Sequence, residues 1–193
     1  MIHFDAHADT GDSQFGALLG HGTPMRRLIE SGAARGDRFA QIGLRGDWPE
    51  AERLAWMAEQ GMRSYEMTEV MARGLDAVLT EAMAIGTDDG EAVFLSVDVD
   101  VVDPGSAPGT GTPEPGGLSA RALLDAVRRI CMAVPVAGIE VVEVAPPYDQ
   151  SEITAHLANR IVLEALSGLA WRRRRPAGEP GREPGDPLLQ GRR

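Results

Sequence analysis

The chain has 193 residues, 43% of them hydrophobic, and a formal net charge of −10. This length and composition favour a folded domain with its own core over a disordered chain. The sequence contains no apolar run of roughly eighteen residues and no basic segment followed by an apolar one at its start, so it predicts neither a membrane span nor a signal peptide.

The charged residues narrow the range of functions. All 19 basic residues are arginines, and without lysine the chain cannot form a Schiff base or a P-loop. Residues 1–171 hold 12 arginines and 26 acidic residues, a balance that repels nucleic acid and attracts small cations. Cys131 is the single cysteine. It excludes a disulfide within the chain, its apolar surroundings favour a buried residue, and we expect a cytoplasmic protein.

Apolar and β-branched runs predict five strands. The fourth, "AVFLSVDVDVVDP", is the strongest and ends at Pro104. The fifth, "VAGIEVVEVAPP", is predicted to be buried. We predict the strands within residues 1–7, 39–46, 62–68, 92–104 and 136–147.

Helical patterns alternate with these strands. Thr23 is the predicted N-cap of the first helix and Pro24 its first residue, and Gly61 ends the second. Ser119 and Ser151 are the predicted N-caps of the last two. We predict the helices over residues 23–32, 47–61, 71–86, 118–130 and 153–169.

This alternation predicts an α/β fold of three layers, with helices on both faces of a mostly parallel sheet. The domain is expected to occupy residues 1–171. Residues 172–193 are rich in Arg, Pro and Gly, which predicts a disordered tail. Its run of arginines is typical of a solvated helix end; a patch for nucleic acid or a membrane is the alternative.

Two of the predicted strands end in clusters of metal-ligand residues. The first carries Asp5, His7 and Asp9, and the fourth carries Asp98 and Asp100. Alternate residues of a strand share a face, and ligands collect at the carboxyl ends of parallel strands, so we expect these side chains to converge. Four buried carboxylates repel one another unless cations or protons lie between them. Either cluster alone also fits strand ends without metal, but the two together favour a metal site, and an oxygen-rich set favours Mn²⁺ over Zn²⁺ or Cu²⁺.

The motifs that carry this chemistry resemble those of a known family. "HFDAHADT", "GHGTP", "SVDVDVVDPGSAPGTGTPEPGGL" and "VVEVAPPYDQSEIT" are similar to sequences of the ureohydrolases, the agmatinase and arginase family. The similarity is greatest to the agmatinase branch and extends from residue 2 to about 171. It implies an arginase-like fold and two Mn²⁺ ions per chain.

The resemblance implies a role for each ligand. Asp5 and Asp98 would bridge the two Mn²⁺ ions. His7 and Asp100 would complete the coordination of one ion. Asp9 would bind the other and accept a hydrogen bond from a bridging hydroxide, the nucleophile that attacks the guanidinium carbon.

Two further residues match the family's motifs. His21, in "GHGTP", would transfer a proton to the departing amine, and Glu143, in "VVEVAP", would hold the guanidinium. The products would be urea and an amine. We interpret His3, which precedes the ligands on the same strand, as structural; a supporting role around the metals is the alternative.

The implied substrate is a small cationic guanidino compound. Agmatine, hydrolysed to putrescine and urea, is favoured by the resemblance and by the acidic body, and Asp12 is a candidate partner for its ammonium group. A guanidino acid such as 4-guanidinobutyrate is the alternative, with Arg26 or Arg27 binding its carboxylate. Amide deacylation by a similar dinuclear site is a further alternative, against which Glu143 argues.

Members of the family carry a further N-terminal region with strands of the sheet and a "GGDH"-type histidine that binds one metal. Since Met1 leads directly into the ligand strand, the resemblance predicts a truncated chain with one impaired metal site, and an inactive remnant is the alternative to an enzyme. It also predicts that "GIEVVEV" forms an exposed sheet edge. A homo-oligomer is expected if the family's interface is present.

Overall fold

The computed structural model describes residues 1–47, 49–88 and 92–174. Within them, five parallel strands form one sheet in the order β3-β2-β1-β4-β5. The predicted α/β class with a parallel sheet is therefore confirmed. The strands are β1 (Ile2–Phe4), β2 (Ala40–Leu44), β3 (Arg63–Glu66), β4 (Val93–Asp98) and β5 (Val136–Val142).

Helices surround the sheet. They are α1 (Pro24–Glu30), α2 (Ala51–Glu59), α3 (Met67–Arg73), α4 (Leu75–Gly86), α5 (Ala120–Ala133) and α6 (Ile153–Arg173). None of these described helices is long and apolar enough to cross a membrane. Because α6 continues through Arg173, the predicted tail begins within a helix, and its part from residue 175 onward lies outside the described residues.

The main core lies between one face of the sheet and the later helices. Ile2, Phe4 and Leu95 are fully buried there and belong to one cluster with residues of α4, α5 and α6. Cys131 is buried in the same cluster, and burial raises the pKa of its thiol to about 11. The expected role of Cys131 as a buried small residue is thus confirmed.

The strands end earlier than the sequence predicts. β1 ends at Phe4 and β4 at Asp98, and residues 99–101 form a 3-10 turn. Asp5 and Asp100 therefore lie beyond their strands, so the shared face of a strand was the wrong reason to expect the ligands to converge. Turns of the backbone bring them together instead.

The predicted third helix is two helices, α3 and α4. They meet at Gly74, whose φ of +83° belongs to the left-handed region that favours glycine. Met71, the first residue of the predicted helix, lies in α3 and is 77% exposed. The break was missed because apolar residues at helical spacing continue across the glycine.

β5 is the edge strand of the described sheet, as expected for "GIEVVEV". Its residues are mostly half-buried, so the prediction of a buried strand was wrong. The reason is its position: in the described residues β5 pairs with β4 along one side alone.

Helix capping agrees with the sequence at one end and differs at others. Ser119 caps α5 as predicted, because its Oγ accepts a hydrogen bond from the Ala122 N–H at 3.1 Å. Thr23 occupies the N-cap position of α1, but its hydroxyl bonds to the backbone of Gly20 rather than to the helix.

Ser151 does not cap α6. Asp149 takes that role, because its carboxylate accepts from the Thr154 N–H at 2.9 Å and from the Ala155 N–H at 3.1 Å. The Thr154 hydroxyl in turn accepts from the Gly109 N–H at 2.7 Å. The start of α6 therefore holds residues 105–117, the glycine-rich loop that follows β4.

Replacing Asp149 with alanine should lower the urea midpoint of unfolding, because it removes the acceptor for two N–H groups at the start of a 21-residue helix. Ser151→Ala is the matched control and should leave the midpoint unchanged. Far-UV circular dichroism in a urea series measures both. Equal shifts in the two variants would contradict the assignment of the cap.

Candidate metal centre

The acidic residues meet where β1 and β4, neighbours in the sheet, end. Two groups of ligand-type side chains lie there: Asp5, His7 and Asp100 form one, and His3, Asp5 and Asp9 form the other. Within each group the ligand atoms lie within 4.8 Å of one another. Asp5 belongs to both groups and is therefore the carboxylate that the two candidate cation positions share.

Backbone N–H groups hold these carboxylates in place. The Ala6 N–H donates to Asp100 Oδ1 at 3.0 Å, and the His7 N–H donates to Asp5 Oδ1 at 2.6 Å. In the turn after β4, the Asp100 N–H donates to Asp98 Oδ1 at 2.8 Å. The turn after β1 thus holds the carboxylates of Asp5 and Asp100, and the turn after β4 holds that of Asp98.

Two imidazoles approach the carboxylates. His7 Nδ1 lies 3.0 Å from Asp100 Oδ2 and 3.4 Å from Asp5 Oδ1. His3 Nε2 lies 2.9 Å from Asp5 Oδ2. His3 is fully buried whereas His7 is partly accessible, so the two rings approach Asp5 from different environments.

The carboxylates cannot all be ionised at once without cations. Burial, with the nearby charges of Asp5 and Asp100, raises the pKa of Asp98 to about 11. Burial and the Asp5 charge raise the pKa of Asp9 to about 7. Burial also raises the pKa of Asp100, against the hydrogen bond from His7. Asp5 is the exception, because the charge and hydrogen bond of His3 outweigh burial and lower its pKa to about 2.

The imidazoles respond to the same field. Burial disfavours a charge on His7, but the hydrogen bonds to Asp100 and then Asp5 outweigh burial and raise its pKa to about 10. The Asp5 charge likewise raises the pKa of His3 against burial. Bound protons thus supply part of the positive charge that balances the carboxylates. Carboxylate oxygens together with imidazole nitrogen are also a donor set that suits divalent cations, which could replace those protons.

Asp98 is buried beside these groups. Within the described residues, neither three-residue group includes it. Its carboxylate nevertheless feels the charges of Asp5 and Asp100 strongly. The bridging role of Asp98 stays a prediction.

A second pair stands next to the acidic set. His21 Nδ1 lies 2.6 Å from Glu143 Oε1, although 122 positions separate the two residues in the chain. The hydrogen bond and charge of Glu143 raise the pKa of His21, and Asp9 adds to this. A side chain on Gly111, in the glycine-rich loop, would have its Cβ 3.7 Å from Glu143 Oε2. The pair is therefore within the field of the carboxylates and beside that loop.

Two of the predicted site residues have unusual backbone conformations. Asp9 has φ of +54° and Glu143 has φ of +61°, in the left-handed region that residues other than glycine seldom adopt. Such conformations cost about 1–3 kcal/mol and cluster at functional sites. Glu143 directly follows β5, and Asp9 lies five residues after the end of β1. Both are at points where the chain leaves the carboxyl end of the sheet.

Arg45 supports the site although its sequence context did not predict it. Its guanidinium donates to the Asp100 and Glu114 carbonyl oxygens, each at 2.6 Å, and to the Val101 carbonyl at 3.3 Å. Arg45 therefore fastens the Asp100 turn to the glycine-rich loop. A lone arginine after a strand carries no sequence signal for this role, because its partners are backbone carbonyls.

The residues considered for the substrate tail are already paired. Asp12 Oδ1 lies 3.4 Å from Arg26 Nη2 and 3.3 Å from Arg27 Nη2. Glu30 contacts the same two arginines at 2.8 and 2.9 Å. Two acids thus balance two arginines in this patch.

Comparison with known proteins identifies the family. A sequence model of the arginase family matches residues 1–168. The guanidinobutyrase of Pseudomonas aeruginosa is 39% identical over 167 residues, which cover 86% of this chain and 51% of that protein. The mitochondrial agmatinase of Gallus gallus is 38% identical over 168 residues, which cover 86% of this chain and 48% of that protein.

Solved structures agree. The crystal structure of formimidoylglutamase from Bacillus subtilis superposes with a TM-score of 0.82 at 34% identity, covering 87% of this chain and 52% of that one. The chain spans about half the length of the curated relatives it matches. Since the family match runs over residues 1–168, the chain belongs to the arginase family.

Proposed function

We propose that this chain provides the metal-binding and guanidinium-binding residues of a binuclear manganese hydrolase that releases urea from a guanidino compound. The observation that carries the proposal is the gathering of Asp5, His7, Asp9 and Asp100 at one place, with His21 and Glu143 beside them. Membership of the arginase family supports it.

The ligand groups divide between two ions. Asp5, His7 and Asp100 would hold one ion, and Asp5 with Asp9 would hold the other. Asp98 would add a second bridge. The oxygen-rich donor set favours Mn²⁺, and two such ions, when bound, would supply Lewis acidity and lower the pKa of a water molecule at the site.

Glu143 and His21 would serve the substrate. A guanidinium is delocalised and stays charged in water, so it needs a carboxylate to pair with and to orient it, and Glu143 offers one. An incoming guanidinium would compete with His21 for this carboxylate. In the substrate-free chain Glu143 raises the pKa of His21, so His21 would hold a proton before the substrate enters, and the departing amine requires a proton.

We propose agmatine as the substrate. The formal charge of −10 favours a dication over a zwitterion, and the agmatinase of Gallus gallus is among the relatives. The alternative is 4-guanidinobutyrate, which the Pseudomonas relative supports. In that case Arg26 and Arg27 would exchange Asp12 or Glu30 for the substrate carboxylate.

A chain that binds metal without turnover is the second candidate function. This candidate is favoured by the length of the match, because the chain spans about half the length of its curated relatives. The ligand groups and the His21–Glu143 pair would then persist without a complete active site.

Binding of Mn²⁺ should release protons and should tighten as the pH rises from about 6 to 8. In the metal-free chain the pKa values of about 10 for His7 and about 11 for Asp98 keep both groups protonated near neutrality, so an ion must displace those protons. Lower pH favours the protons and weakens binding. Isothermal calorimetry in two buffers of different ionisation enthalpy counts the protons, and binding without release would contradict this description.

Replacing Asp98 with alanine should remove Mn²⁺ from both ligand groups, because the residue is proposed to bridge them. Metal per chain is measured by mass spectrometry after dialysis. Asp125→Ala, which removes an exposed carboxylate on α5, is the matched control and should keep the wild-type content. Retention of two ions in Asp98→Ala would refute the bridge.

The Mn²⁺-loaded chain should release urea, and faster from agmatine than from 4-guanidinobutyrate. Glu143→Gln should lower kcat/KM by about 100-fold or more, in line with the loss of one oriented electrostatic contact. Glu59→Gln, on the exposed side of α2, should match the wild type. Faster turnover of 4-guanidinobutyrate would identify that compound, and not agmatine, as the substrate. Two bound ions without release of urea would favour a chain that binds metal without turnover.

A further inference from the structure

A row of polar side chains crosses the sheet just below the metal centre. Ser64, Gln41, His3 and Ser96 are neighbours in register on β3, β2, β1 and β4. His3, Gln41 and Ser96 are fully buried. Strands of a parallel sheet are usually apolar on both faces, so buried polar groups at this level require partners and a reason.

Gln41 has its amide orientation fixed by a backbone carbonyl. Its Nε2 lies 2.7 Å from the Ala8 carbonyl oxygen, which can only accept a hydrogen bond. The amide NH₂ must therefore be at this end, and the Ser64 hydroxyl donates to Oε1 at 3.3 Å at the other. The same NH₂ lies 3.1 Å from His3 Nδ1.

This orientation decides which nitrogen of His3 carries the proton. Nδ1 faces an amide donor, so it must accept, and the ring proton must be on Nε2. A proton on Nδ1 would face the amide hydrogens of Gln41, so the amide opposes a second proton that Asp5 would otherwise favour. Nε2 lies 2.9 Å from Asp5 Oδ2, and both side chains are buried.

We propose that Gln41 sets the tautomer of His3, and that His3 acts as a positioning residue whose Nε2–H holds Asp5, rather than as a metal ligand. This inference rests on the proposed function in one respect, since it takes Asp5 to be a ligand of both ions. The orienting contact itself is independent of that role.

The arrangement suits a carboxylate shared by two ions. Asp5 Oδ1 accepts from the His7 N–H and Oδ2 faces His3. Each carboxylate oxygen has two lone pairs, so both oxygens are held and each keeps a lone pair for a cation. Ligation by His3 would instead need a bare Nε2 and a proton on Nδ1, opposite the Gln41 amide. Although His3 belongs to a ligand-type group by distance, its tautomer excludes it as a donor to metal.

The tautomer is measured directly in the metal-free chain. Nitrogen-15 chemical shifts distinguish a protonated from a bare ring nitrogen, and His3→Gln identifies which of the 4 histidines gives which signals. The spectra are recorded across a pH series, and in the neutral ring of His3 we expect a protonated Nε2 and a bare Nδ1. A proton on Nδ1 and a bare Nε2 in the neutral ring would overturn the proposal.

Two variants of His3 separate positioning from packing. Glutamine places its amide nitrogen where His3 has Nε2, whereas asparagine places it where His3 has Nδ1. His3→Asn should weaken Mn²⁺ binding by about 10–100-fold, the usual cost of losing an outer-shell partner, while His3→Gln should stay within about threefold of wild type because the donor remains. Free Mn²⁺, measured by electron paramagnetic resonance, gives both affinities.

Wild-type affinity in a folded His3→Asn chain would overturn the positioning role, and an equal loss in both variants would mark His3 as a ligand and overturn it too. If His3→Asn does not fold, the tautomer of the unaltered chain and the affinity of His3→Gln still decide. A wild-type chain that binds no Mn²⁺ would refute the proposed function alone, because the nitrogen-15 result requires no metal.

Discussion

Repulsion among buried carboxylates is the constraint on which the rest of the site depends. Asp5, Asp98 and Asp100 are almost wholly buried at one edge of the sheet, and Asp9 is half-buried beside them. Ionised together in a medium of low dielectric, they would force the strand ends apart. Protons on Asp98 and His7 relieve this repulsion in the metal-free chain, and divalent cations would relieve it in the proposed enzyme. The same balance would then link stability, proton uptake and metal affinity at a single place in the fold.

The fold meets this constraint with rigid elements and short turns. Among the proposed ligands, Asp98 ends β4, Asp5 is the first residue after β1 and Asp100 is the second after β4, so a few dihedral angles separate them from the strands. Backbone N–H groups of Ala6, His7 and Asp100 donate to the carboxylates without any side-chain entropy. Arg45 donates hydrogen bonds to carbonyl oxygens of both the Asp100 turn and the glycine-rich loop and so holds them together. Its positive charge also interacts with Asp100. The strained backbone at Asp9 and Glu143 is tolerated because the surrounding contacts over-determine it.

The sequence predicts this architecture well where the signal is local. Runs of β-branched and apolar residues locate all five strands, and Ser119 marks the start of α5 because its hydroxyl bonds within its own turn. Where two residues offer the same chemistry, the sequence does not decide: Ser151 and Asp149 can both cap α6, and the path of the chain selects Asp149. The break at Gly74 is hidden by a periodicity that continues through it. The contact between His21 and Glu143 depends on the whole sheet, which periodicity alone does not encode; the family resemblance placed both at the site without predicting that they touch.

The convergence of the ligands shows how a correct expectation followed from a wrong reason. Strand periodicity predicted that Asp98 and Asp100 share a face, yet the strand stops at Asp98 and a 3-10 turn carries Asp100. Turns past strand ends are more adjustable than strands, so ligands placed there need support from below. His3 and Gln41 provide that support from β1 and β2, where pleating and register fix side chains more firmly than any loop does. A polar pair on two buried strands is costly to the core, and the cost is offset if the pair holds Asp5, the carboxylate proposed to contact both ions.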